Sequence, residues 1–482
     1  MKKNYFIGMD IGTQGARVVM IDEAGVQLAA REEVFELTPS SRQEQNPDMW
    51  WRVCFRLTGL LCKEASAQIN LGQVKAIGVT STSGTIIPVN KSNKPIHPAI
   101  MYSDKRSAAE AARCSEAAIS AGATGFSAFN ASCGLPKMCW FLKNDPQKVE
   151  RLGKFIHAAD FITGNLTGNF DVTDYTNALK SGYDLHACRW PAYLQSVLGI
   201  RREWLQEVVP SGTPVGYLRT EWAKAFGLSE QVIVTAGLTD GCASQVASGA
   251  VNLGDWNTTI GTTLVIKGVS QQEIKDPAGA LYCHRHPDGF WMPGGASNTG
   301  ADWVSALFAA SDLSQLSTAA AEIIPGKYLA WPLMGVGERF PFVAPAAKGF
   351  IPEGLSLAEK FLACMEGVAY MERFAFERIR SLSGEQISNI FSAGGGSNSD
   401  IWLKIRSAVL NLPVYKMKNV SGAVGAAIAG ASKTYFDSIC SAAGAMIQPE
   451  KSIYPTKKWV GPYEERYQKF TEHLKSKQYI HE

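Results

Sequence analysis

The sequence contains no run of 18 apolar residues, no block of basic residues, and no two cysteines at C-x-x-C spacing. The first absence leaves no segment fit to cross a bilayer as a helix. The second, with a net charge of +3 from 47 basic and 44 acidic residues, removes the electrostatic footprint of a nucleic-acid binder. The third argues against a zinc or thioredoxin-type site. The ten cysteines are scattered, and reduced packing residues are expected. The apolar stretch that starts at Tyr5 ends at Asp10, too short for a secretory signal, so a cytoplasmic protein is expected. "YCHRHPDG", residues 282–289, sets His284 and His286 on one strand face. With no third ligand nearby in the chain, a strand ending in a Pro-Asp-Gly turn is the better reading.

Two phosphate-binding signatures are also missing. Neither Gly153-Lys154 nor Gly326-Lys327 is followed by Ser or Thr, so there is no Walker A loop. Gly8, Gly12 and Gly15 suggest a dinucleotide fingerprint, but the residues after them, Ala16 to Ile21, are a run rich in β-branched residues that reads as strand. A fingerprint of that kind has to open a helix, and this one opens a strand.

What is present is a soluble-type composition, 46% hydrophobic and 19% charged over 482 residues, enough for two domains. The pattern predicts a strand over 4–10, a tight turn from Gly12 to Gly15, a strand "ARVVMID", and a third strand after a turn at Gly25. A helix follows, with Asn46 as N-cap and Pro47 at its first position, then the strand "VKAIGVTSTSG". This β-β-β-α-β order gives a mixed sheet. The second half echoes it: "QVIVTAGLTDG" leads to a helix, then "DWNTTIGTTLVIKGV" reads as strand, Gly-Thr turn, strand. "ISNIFSAGGGSNSDIW" is another strand-to-glycine turn, with Asp400 starting a helix. Near the end, Tyr463, Tyr467 and Phe470 form the core stripe of a terminal helix.

Asp10 is an acid inside an apolar strand, where an unpartnered carboxylate is costly. Backbone N–H groups of the Gly12–Gly15 turn, with Thr13 and Gln14, suit a phosphate, and Mg²⁺ would reconcile that phosphate with Asp10. A simply hydrogen-bonded buried Asp is the alternative. Asp240 in "GLTDGCASQ" stands where a strand passes into a helix, fit for an N-cap or for a general base. Gly394, Gly395 and Gly396, with Ser397 and Asn398, are either a flexible turn or a surface on which a purine and ribose lie close to the backbone. "VGERFPF", residues 336–342, reads as an exposed turn with Glu338 and Arg339 paired as structural support.

This constellation resembles the actin/Hsp70/hexokinase type of ATPase fold, and specifically the FGGY family of carbohydrate kinases. "MDIGTQGARVVMID" is similar to that family's first phosphate motif, "EQNPDMWW" to the segment before its first helix, "TIGTT" to its second phosphate motif, and "SAGGGSNSDIW" to its adenosine motif. "SCGLPKMCWFLKN" fits a family signature around Lys137, Trp140 and Asn144, except that Gly134 replaces the usual Pro, Ser or Thr. "KGFIPEGLSLAEKFLACMEGV" fits a second signature loosely, with Lys360 at a usually apolar position. The resemblance runs from about residue 5 to residue 430.

It implies an α/β fold of two ribonuclease H-like (actin-like ATPase) domains, mixed sheets flanked by helices, with the active site in the interdomain cleft. The domains expected are 1–246, carrying the sugar site and first phosphate motif, and 247–482, carrying ATP, with the last helix packing back on the first domain. The implied activity is phosphorylation of a sugar by ATP and Mg²⁺. Asp240 would accept the proton of the sugar hydroxyl, and Asp10 would organise the metal and γ-phosphate. Gly12, Thr13 and Gln14 would hold phosphate, as would Gly261, Thr262 and Thr263. Ser83, Gly84 and Asp104 would border the sugar. Gly295, Asn298, Gly395, Gly396 and Asn398 would line the adenosine site. The loops "TSTSGT", "TDYTNALKSGYD" and "MPGGASNTGADW" look most like a D-ribulose kinase subgroup, with D-xylulose the runner-up. A homodimer is a candidate assembly. A nucleotide switch without acceptor chemistry, or a sugar sensor, is the rival from another class. The sensor is expected to lack Asp240 or to carry a DNA-binding module, and neither holds here.

Overall fold

Every second residue of the strand Tyr5–Gly12 faces the same way, and its two faces meet different helices. Ile7, Met9 and Ile11 enter a core with Trp50, Val53, Leu57 and Leu61 of the helix Pro47–Ala65. That helix starts where the sequence places it, with Asn46 Oδ1 accepting the Asp48 N–H at 2.9 Å and Pro47 at its first position. The opposite face carries Phe6, Gly8 and Asp10, and a later helix, Gly422–Ser432, lies on it. A Cβ at Gly8 would stand 1.8 Å from the Ala423 carbonyl oxygen, and one at Gly78 would stand 1.9 Å from that of Ala426. Only glycine permits backbone to approach backbone this closely.

The computed structural model describes residues 3–123 and 128–480, in two compact units. The first takes in residues 1–247, 284–289 and 419–447; the second takes in 248–283, 290–418 and 448–482. The chain leaves the first unit after residue 247 and returns to it twice. The last helix, Lys457–Ser476, belongs to the second unit.

The first unit's main sheet runs in the order Pro214–Tyr217, Ile233–Thr235, Val74–Ser81, Tyr5–Gly12, Gly15–Asp22, Gln27–Val34, with Leu238–Thr239 also pairing on Val74–Ser81. Tyr5–Gly12 is antiparallel to Gly15–Asp22 and parallel to Val74–Ser81, the mixed pattern expected. A smaller sheet, in the order Glu44–Gln45, Ala99–Ile100, Ile86–Asn90, Leu152–His157, supports a second cluster that includes Leu135, Phe141, Phe155 and Trp204.

In the second unit the hairpin Asp255–Ile260 and Leu264–Gly268 is antiparallel, and Asn389–Ala393 lies parallel beside its first strand. The helix Leu357–Ser383 begins in a capping box of Ser356 and Glu359. It buries Glu372 in a two-pronged ion pair with Arg406, at 2.7 and 2.8 Å. Tyr463, Tyr467 and Phe470 of the terminal helix are buried. The helix after the Gly394 turn is capped by Ser399, whose hydroxyl accepts the Trp402 N–H, with Asp400 one position inside. Among the described residues, no helix is long and apolar enough to cross a membrane.

Residues 336–342 differ from the exposed turn expected of them. Glu338 is 2% exposed at the end of the strand Trp331–Glu338. It accepts from Ser297 Oγ at 2.8 Å, from Thr299 Oγ1 at 2.9 Å and from the Asn298 N–H at 2.6 Å. Arg339 gives its guanidinium to the Ala296 carbonyl, and only its backbone N–H to Glu338. The support is real, but it is a buried carboxylate tying down a neighbouring strand end.

Gly78→Ala is expected to cost about 1–3 kcal/mol at the least, because the new methyl meets a backbone carbonyl that has nowhere to go. Gly444→Ala, in the helix Ile439–Met446 with nothing within 4 Å of its Cβ position, should leave stability unchanged or raise it. Thermal midpoints of the two variants check this, and equal midpoints would contradict the close approach.

Candidate functional site

Three parallel strands of the first unit end side by side. Asp10 and Leu238 both pair with Thr80, and Ile11 and Thr239 both pair with Ser81. The chain therefore delivers Asp10 and the Gly12 turn, Thr82 to Gly84, and Asp240 to one sheet edge, at the carboxyl ends where α/β sheets receive ligands. A cavity of about 400 Å³ opens there, lined by Asp10, Thr13, Gln14, Arg17, Tyr102 and Asp240 among others. Asp240 is the first residue of the helix Asp240–Ser248, and its Oδ1 accepts the Gly241 N–H at 2.7 Å.

Asp10 is half-buried against the first turn of the helix Gly422–Ser432, and a Cβ at Gly422 would stand 2.5 Å from its Oδ2. Loss of solvent pushes its carboxyl up to about 7; the charge on Asp240 adds to this, and Arg17 opposes it. Arg17 faces Asp10 across the hairpin but is bound to Glu32, with Nε to Oε2 at 2.9 Å. Two carboxylates that repel each other in a cavity with Thr13 and Gln14 suit a divalent cation, which would be met by oxygen donors and would let both acids ionise. Among the described residues there is no group of three or more His, Cys, Asp or Glu that could hold a metal ion.

The Gly12–Gly15 turn is braced from below. Gln45 Nε2 donates to the Thr13 carbonyl at 2.9 Å, and Gln45 Oε1 accepts from Trp50 Nε1 at 2.8 Å. Phe35 N–H donates to the Gln14 carbonyl at 2.8 Å. Sequence reasoning singled out the segment around Gln45 but not this role; a Gln followed five residues later by a buried Trp was the available signal.

The candidate sugar residues divide. Ser83 Oγ is buried with no hydrogen-bond partner among the described residues. Gly84 has φ +79°, and a Cβ there would stand 2.1 Å from the Ser132 carbonyl oxygen, so the backbone alone accounts for it. Asp104 is 1% exposed and both its oxygens take the Arg106 guanidinium, at 2.6 to 3.1 Å. Thr82, in the loop 80–85 quoted from the sequence, and Tyr102, which sequence reasoning did not name, also line the cavity.

In the second unit, Gly261, Thr262 and Thr263 form the hairpin turn, with Gly261 N–H donating to the Thr263 carbonyl at 3.0 Å. The turn Gly395–Asn398 ends the neighbouring parallel strand and lies against Ile260; a Cβ at Gly394 would stand 2.5 Å from the Ile260 carbonyl oxygen and one at Gly396 would stand 2.8 Å from its Cβ. Nothing lies within 4 Å of the Cβ position of Gly395, and Asn398 is exposed. Gly295 and Asn298 are engaged internally: a Cβ at Gly295 would meet the Phe340 ring at 2.5 Å, and Asn298 Nδ2 donates to the Gly337 carbonyl at 2.9 Å. Gly395 and Asn398 are thus exposed, Gly396 is buried against Ile260, and Gly295 and Asn298 have internal contacts.

Comparison with known proteins assigns both halves. The N-terminal domain of the FGGY family of carbohydrate kinases matches residues 5–247, and the C-terminal domain of that family matches residues 256–434. A xylulose kinase from Bacillus subtilis (strain 168) is 25% identical, with 95% of this chain and 94% of the relative covered. A gluconokinase from Bacillus licheniformis is 25% identical, with 89% and 87% covered. The crystal structure of a xyloylose kinase from Brucella ovis superimposes with a TM-score of 0.85 at 24% identity, covering 98% of this chain and 99% of that one. The two-domain α/β architecture expected from the sequence is therefore the observed one, and it is shared with sugar kinases.

An Asp raised from 3.8 to about 7 on folding costs stability as pH climbs between those values, because the unfolded chain ionises first. Without nucleotide or metal, Asp10→Asn is expected to be more stable than the parent at about pH 8, and to lose that advantage at about pH 4. Thermal unfolding across that range checks it. Mg²⁺ should raise the parent's midpoint at the higher pH and leave the variant's unchanged.

Proposed function

The chain belongs to the FGGY family of carbohydrate kinases, and from that premise we propose that it transfers the terminal phosphoryl group of ATP to a primary hydroxyl of a ketopentose. The observation that carries this is Asp240 at a strand end, in the same cavity as Asp10, Thr13 and Gln14. Phosphoryl transfer through a loose transition state asks for alignment and charge stabilisation more than for a strong base. The Asp240 carboxylate accepts the hydroxyl proton as the sugar oxygen bonds to the γ-phosphorus. The bond from that phosphorus to the bridging oxygen breaks, and ADP leaves with the electron pair.

Asp10 would hold Mg²⁺, whose charge offsets that of the phosphates when it is bound. Backbone N–H groups of the Gly12 turn and the side chains of Thr13 and Gln14 orient the transferred phosphoryl. Within the second unit, the turn at Gly261 to Thr263 suits phosphate, and the open Gly395, with the exposed Asn398, suits the adenosine. Ser83, with its unused hydroxyl, orients the sugar.

D-Ribulose and D-xylulose are the two acceptors proposed. The loops at 80–85, 173–184 and 292–303 favour the first, and relatives named xylulose kinase support the second equally well. A coupled assay of ADP release against D-ribulose, D-xylulose, gluconate and glycerol separates them. One ketopentose should give the highest kcat/KM, and Asp240→Asn should lower kcat by about 10²–10⁴-fold while nucleotide binding persists. ADP release that no acceptor stimulates, or full turnover by the variant, would sink this reading.

A further inference from the structure

The segment "TDYTNALKSGYD", residues 173–184, is one of the loops that look like a D-ribulose kinase subgroup, and its most distinctive residues face inward. Asp174, Thr176 and Asn177 are all fully buried. Asp174 Oδ1 accepts from the Thr176 N–H at 2.7 Å, from Thr176 Oγ1 at 2.6 Å and from Ser211 Oγ at 3.1 Å, while Oδ2 accepts from Asn177 Nδ2 at 2.6 Å. The proton of the Thr176 hydroxyl is thereby committed to Asp174. Its lone pairs face elsewhere, and they accept the backbone N–H of Thr239 at 2.8 Å.

Thr239 is the last residue of the strand Leu238–Thr239, and the next residue is Asp240. That strand is only two residues long and pairs with Val74–Ser81. Such a short ladder fixes the backbone direction weakly, whereas a hydroxyl oriented by a buried carboxylate fixes one N–H in place. We propose that Asp174 and Thr176 are positioning residues for the proton acceptor: the Thr176 hydroxyl, held by Asp174, anchors the Thr239 N–H and so sets the point from which Asp240 projects. This rests on the reading of Asp240 as the base. The side chains of Asp174 and Thr176 touch neither substrate nor reacting atoms; they act through the backbone beside Asp240.

The test compares Thr176→Val, which keeps the shape and removes the hydroxyl, with Thr176→Ser, which restores it. Thr176→Val is expected to lower kcat by about 10–100-fold, the scale of a small misplacement of a catalytic group, with the KM for ATP within about 2-fold of the parent. Thr176→Ser should recover kcat to within about 3-fold. A parent-like kcat in a folded Thr176→Val variant overturns the proposal, as does equal loss in both variants. If the valine variant does not fold, Thr176→Cys takes its place. Its thiol is a poor acceptor, so a lowered kcat at unchanged KM for ATP supports the proposal and a parent-like kcat overturns it. Asp240→Asn is measured alongside. If it is inactive while Thr176→Val is normal, only the positioning role falls; if it retains full turnover, the base assignment falls and takes this inference with it.

Discussion

A helix lies flat on a sheet at near-contact distance, and the first unit depends on that fit. Gly8 and Gly78 stand on adjacent parallel strands, and the carbonyls of Ala423 and Ala426 come down onto them where any side chain would stand. Gly425 returns the favour, since a Cβ there would stand 1.9 Å from the Ala243 carbonyl oxygen on the helix that Asp240 begins. Three glycines therefore hold one helix against both carriers of the acidic pair. The same packing draws residues 419–447 back into a unit built chiefly from the first half of the chain. It also sets the first turn of that helix against Asp10.

From that constraint the electrostatics follow. A carboxylate at the end of a strand, closed over by a helix, loses water and becomes a weaker acid. A second acid delivered by a neighbouring strand makes it weaker still. Such a pair is a poor way to stabilise a fold, since a hydrogen-bonded neutral residue would serve better. It is a good way to hold a place for positive charge. A cation between the acidic pair and the phosphate-type turn would reconcile the two, which is the part the proposed Mg²⁺ would play.

Much of this was legible in the sequence because it is local. Strand alternation, the Asn46 cap, the Gly12–Gly15 and Gly261–Thr263 turns and the odd position of Asp10 are each written within a few residues. The helix Gly422–Ser432 was not legible in the same way. "GAVGAAIAGAS" is small and apolar all round, so no periodic face shows which side is packed, or on what. Glu338 misled for the opposite reason. A charged pair between a glycine and a proline reads as surface, and only the tertiary structure supplies the Ser297, Asn298 and Thr299 donors that let the carboxylate be buried. Gly295 and Asn298 have the composition of a ligand turn, yet they are spent on Phe340 and Gly337.

The acceptor sugar is hardest to read for a related reason. The residues that make phosphoryl transfer work are fixed by backbone geometry: glycines with no room for a Cβ, and acids at the ends of parallel strands. Choice among acceptor sugars needs only a hydrogen bond or two at the site, and such contacts leave little trace in local patterning. Ser83 is the candidate here, with an unused Oγ beside a glycine whose φ +79° sets the loop's direction. Asp104, which resembles a sugar ligand in the sequence, is occupied by Arg106, and that guanidinium stacks 4.4 Å from the Trp140 ring. That ion pair uses only part of the accepting capacity of the carboxylate, which keeps lone pairs for a further donor. Ser83 differs in starting with no hydrogen bond to disturb.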